Sequence, residues 1–82
     1  MLQNKKSEIL RKNTKDFIGI VIASKWDSNG NVIQVSLLTK DEDEFIIEMN
    51  IQGNALIPFC QSEVHIKGFL DKNGILNCDD IK

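Results

Sequence analysis

Tyrosine is missing from the 82 residues, and proline, tryptophan and histidine each occur once. The lone His65 has no nucleophile beside it in sequence, and Cys60 in PFCQ lacks the context of a catalytic thiol. No triad assembles from such an inventory, so a non-catalytic protein is expected. Nowhere does an apolar run approach the ~18 residues of a membrane-spanning helix. The opening MLQNKKSEIL has no apolar core of the kind a secretory signal needs, which sets the expectation of a cytoplasmic protein without membrane attachment. Neither C-x-x-C nor H-x₃-H occurs, so no structural zinc site and no other cofactor is expected. Cys60 and Cys78, without an oxidising compartment to join them, are expected as reduced thiols.

What is present is an ordinary globular composition, 41% apolar and 27% charged, in a chain that is one small domain with a limited core. Its charge is uneven. Residues 1–16 carry five cations against Glu8 and Asp16, while the rest carries five lysines against ten acids. The layout is a basic arm, 1–16, on an acidic body, 17–82.

The pattern D-x-N-G occurs twice, at Asp27–Gly30 and Asp71–Gly74. In such a sequence the Asp side chain bonds the backbone two residues on, and Gly supplies the left-handed conformation that closes a hairpin with a bulge. Asp27, Asn29 and Asn31 also resemble the start of a calcium loop. Gly30 comes two positions too early for one, and the hairpin accounts for all three residues without an ion. The turns predict Val21 opposite Leu37, Ala23 opposite Val35, Leu70 opposite Leu76 and Gly68 opposite Cys78. Alternation agrees: Phe17, Gly19, Val21 and Ala23 share a face with Ile33, Val35, Leu37 and Thr39. In the second hairpin Val64, Ile66, Gly68 and Leu70 share one with Leu76 and Cys78.

A third alternating run, EFIIEMN, places Phe45, Ile47 and Met49 inward. The expected elements are a helix over 3–12 and strands over 17–26, 32–39, 44–50, 63–70 and 75–81. Between the third and fourth strands, IQGNALIPFCQ is read as a turn capped by Asn54 and stopped by Pro58. The helix 3–12 is amphipathic, with Leu2, Ile9 and Leu10 on one side, and is expected to cover Ile18, Ile20 and Ile22 on the outer face of the first strand.

The stretch F-I-G-I-V around Gly19, the stretch V-H-I-K-G-F around Gly68, and the pause after the third of five strands resemble the OB-fold (oligonucleotide/oligosaccharide-binding) family. That resemblance implies an all-β, five-stranded Greek-key barrel, here with a short N-terminal helix. The helix usually found between strands three and four is reduced to a turn. An SH3-like barrel is the alternative fold.

OB-folds similar to this one commonly bind single strands or structured RNA between the 1–2 and 4–5 loops. The resemblance therefore implies a nucleic-acid site here. Trp26 and Phe69 are its candidate stacking residues, and Lys25, Lys67 and Lys72 its phosphate anchors. The structural reading is that Trp26 pairs with Val32 and Phe69 packs under a loop. Electrostatics oppose a nucleic-acid site, because the outer face of strands two and three carries Glu44 and Glu48 and no cation. The competing expectation is a protein-docking or oligomerising module, monomeric or weakly dimeric, using the outer strip Ile18, Ile20, Ile22 and Leu38. A third, an exported OB-like ligand binder, has no signal to support it.

Overall fold

The structure is a computed structural model that describes residues 14–82. Five strands, β1 (Lys15–Trp26), β2 (Val32–Leu38), β3 (Glu44–Ile46), β4 (Glu63–Leu70) and β5 (Leu76–Ile81), form one sheet. A short helix, α1 (Ile51–Asn54), and a 3₁₀ turn (Ile57–Phe59) join β3 to β4. The strand order is β3-β2-β1-β4-β5, with every neighbouring pair antiparallel. The class is all-β. Among the described residues no helix is long and apolar enough to cross a membrane. The expected helix 3–12 lies outside the described residues. Lys15 and Asp16, assigned to the arm from sequence, belong to β1.

Both D-x-N-G segments close hairpins through the same bonds. Asp27 Oδ1 accepts from the amides of Asn29 and Asn31 at 2.9 Å, and Asp71 Oδ1 from those of Asn73 and Ile75 at 2.8 and 3.0 Å. Gly30 and Gly74 sit at φ of +87° and +79°, where a Cβ would be strained. The predicted partners Val21–Leu37, Ala23–Val35, Gly68–Cys78 and Leu70–Leu76 all stand opposite each other. The core follows from this register: Val21, Val35, Leu37, Val64, Ile66, Leu76 and Cys78 are buried, with Ile47 and Leu56 added from the β3–β4 side.

Several expectations are corrected. The sheet is not closed into a barrel. Its edges, β3 and β5, meet only at the bridge between Ile47 and Leu76, where the Glu48 amide donates to the Leu76 carbonyl at 2.8 Å. The reason is the length of β3, which pairs with β2 only over Glu44–Ile46 instead of extending to residue 50. Asn50, not Asn54, caps α1, its side chain accepting from the Gly53 amide at 2.9 Å. Ile33 is exposed because paired irregularities leave Ser24 and Ile33 without partners before Trp26 resumes opposite Val32, so Val32 packs on the core in its place. Leu70, the last residue of β4, is also exposed, at a lip shared with Lys15, Phe17 and Phe69. Ser36 alternates outward but is fully buried between its register partners Ile22 and Ile46.

Both cysteines are free, as expected. Cys78 faces Gly68 across the second hairpin, while Cys60 bridges to Val21.

Candidate functional site

The registers of β1 locate the residues singled out from sequence. Trp26 pairs with Val32 at the far end of the strand, 57% exposed, beside the exposed Lys25. Lys15, at the near end, pairs with Gly68, which places Phe69 just beyond the start of β1. Phe69 lines a shallow groove with Lys15, Phe17 and Leu70. Lys72 is exposed in the second turn. Lys67 is half-buried between two register partners that are both acids, Asp16 on β1 and Asp80 on β5. The structure thus pairs Lys25 with Trp26 and groups Lys67 with Phe69, at opposite ends of β1. The groove that Phe69 lines contains neither Lys25 nor Trp26.

A different set of residues converges. Antiparallel pairing sets Ile20 opposite Leu38 on one side and opposite Glu63 on the other. The β2–β3 loop must therefore emerge beside Asp16–Gly19. It is held compact by the Thr39 amide donating to the Asp43 carbonyl and the Glu42 amide donating to the Thr39 carbonyl, both at 2.9 Å, with Glu42 left-handed at φ of 70°. The result is a groove of about 420 Å³ with Ile18, Ile20 and Leu38 in its apolar floor. Among the described residues four carboxylates, Asp16, Asp41, Asp43 and Glu63, line it against one cation, Lys40. A second groove, of about 430 Å³, shares Ile18 and Glu63 and adds Phe59. Phe59, Ile18, Ile20, Leu38 and Ile46, all exposed, form the apolar belt of this face.

Asp16 anchors one side of that rim. Its carboxylate can only accept, so His65 Nε2–H donates to Asp16 Oδ1, at 3.1 Å, and Lys82 Nζ lies 4.0 Å from the same oxygen. The His65 bond, aided by the nearby Lys67 and Lys82, holds the Asp16 pKa below the ordinary aspartate range. Asp16 therefore keeps its charge into mild acid. Burial pushes the Cys78 thiol upward, which makes it a poor nucleophile at neutral pH.

Alternation within β1 and β2 already exposes the apolar floor in the sequence. The rim is harder to see, because Asp16, the 41–43 loop and Glu63 are distant in sequence and meet only once both β1 registers are known. Comparison of the chain with protein-family models, with curated proteins and with solved structures finds no match.

Proposed function

We propose that the chain is a non-catalytic, OB-like binding module that docks a protein segment on the outer face of β1 and β2. The order of five antiparallel strands, the helical pause after the third and the Ile47–Leu76 bridge that draws the two sheet edges together support the OB-like reading. One observation carries the functional part: the apolar floor of Ile18, Ile20 and Leu38 is rimmed by four carboxylates and one lysine. A phosphate backbone would be repelled from that rim. A helix with one apolar face and basic flanks is complementary to it in both respects.

The test is a pair of titrations of the ¹⁵N-labelled full chain at low salt. One ligand is an eleven-residue amphipathic Leu/Lys peptide and the other a single-stranded oligothymidylate. The docking reading expects the peptide to shift amides of 16–20, 38–43 and 63, with affinity falling as salt rises. It is abandoned if the peptide leaves those amides unmoved.

A second reading, nucleic-acid binding, keeps one specific support: Trp26 is more than half exposed beside Lys25, an arrangement suited to stacking a base near a phosphate contact. It expects the oligonucleotide to shift amides of 24–32. Because Phe69, Lys67 and Lys72 sit at the other end of β1, their contribution would be a separate contact, read at 67–76.

A further inference from the structure

We infer that the chain's own basic segment, residues 2–12, is the resident occupant of the Ile18–Ile20–Leu38 groove, docked within the same molecule, so that an incoming partner segment must displace it. This rests on the docking reading above and adds its regulation.

Three observations point to that occupant. The first is charge. Among the described residues the groove is lined by Asp16, Asp41, Asp43 and Glu63 with Lys40 alone in opposition, whereas residues 1–13 carry Lys5, Lys6, Arg11 and Lys12 against Glu8 alone. The second is apolar pattern. Leu2, Ile9 and Leu10 recur at the i, i+7, i+8 spacing of one helical face, matching a floor of three exposed aliphatic side chains. The third is reach. The segment runs directly into β1, which opens at Lys15, and the groove lining begins at Asp16. An eleven-residue helix spans about 16 Å. The strand stretch Asp16–Ile20 that lines the groove spans about the same length. A tether of two residues gives an effective concentration on the order of millimolar, so weak contacts suffice for substantial occupancy.

Self-occupancy lowers the apparent affinity of any competitor in proportion to the fraction of free groove. The discriminating experiment measures the Kd of the same eleven-residue Leu/Lys peptide for the full chain and for its Ile9→Ser/Leu10→Ser variant, which removes apolar contacts without changing charge. Intramolecular docking predicts about tenfold tighter binding to the variant, and a difference that does not change with protein concentration. Equal affinities would overturn the resident-segment inference and leave the docking reading standing. A difference that vanishes on dilution would assign the segment to a second copy and also overturn it. If the peptide shifts Ile18, Ile20 and Leu38 signals in neither protein, the docking reading itself fails.

Discussion

Ile20 stands directly opposite Leu38 in the β1–β2 ladder, and both side chains are exposed on the floor of a groove that four carboxylates also line. Neither contributes to the buried core. A cation at this position would oppose a basic ligand while leaving the interior intact. Ile20→Lys is therefore expected to change unfolding free energy by no more than about 1 kcal/mol and to weaken the Leu/Lys peptide by at least about tenfold. Urea denaturation and the peptide titration separate the two effects.

The β3–β4 connector yields a sharper contrast. Leu56 is fully buried among the core side chains, whereas Ile51, five residues earlier, is 87% exposed. Leu56→Ala should cost about 2–5 kcal/mol, the usual toll of deleting a buried aliphatic side chain. Ile51→Ala should cost less than about 0.5 kcal/mol. Equal losses in denaturant titrations would mean that the connector is not seated on the sheet as described.

That connector also marks where sequence reading runs out. Both hairpins were legible because two local signals, D-x-N-G chemistry and period-two alternation, select the same register. Leu56 lies in IQGNALIPFCQ, which has neither periodicity nor a strong turn pair, so nothing local says that it plugs the core. Ile33 and Leu70 depart from the alternation for a related reason. Alternation extrapolates through irregularities and strand ends, and it breaks at the Ser24/Ile33 irregularity and at the β4 lip. The acid rim needed two registers at once. Short range was readable; convergence was not.

The hairpin aspartates predict how stability responds to acid. Asp27 has its pKa lowered mainly by the hydrogen bond from the Asn31 amide, and Asp71 by that from Ile75. A carboxyl depressed in the folded state stabilises the fold above its unfolded pKa, and that contribution is lost as pH falls through the folded value. The denaturation midpoint should be flat from about pH 7 to pH 5 and decline below about pH 4. Asp71→Asn keeps an acceptor oxygen for the turn and should reduce that decline. Carboxyl titration by NMR checks the direction directly: both groups should titrate below the ordinary aspartate value of 3.8.

Ser36 invites a substitution that improves the protein. Its hydroxyl is buried and finds no hydrogen-bond partner among the described residues. Unpaired buried polar groups cost about 1–3 kcal/mol. Ser36→Ala is expected to be neutral or to stabilise by up to about 1 kcal/mol. A clear loss of stability would show that the hydroxyl is bonded.

The location of the proposed binding face can be read in a single spectrum. With the Ile methyls and the Trp26 indole N–H both observed in the full chain, the Leu/Lys peptide is added at low salt. The account predicts that the Ile18 and Ile20 methyl signals move together, and saturate together, while the Trp26 indole stays in place. Movement of the indole with silent isoleucines would place the ligand at the other end of β1 and contradict it.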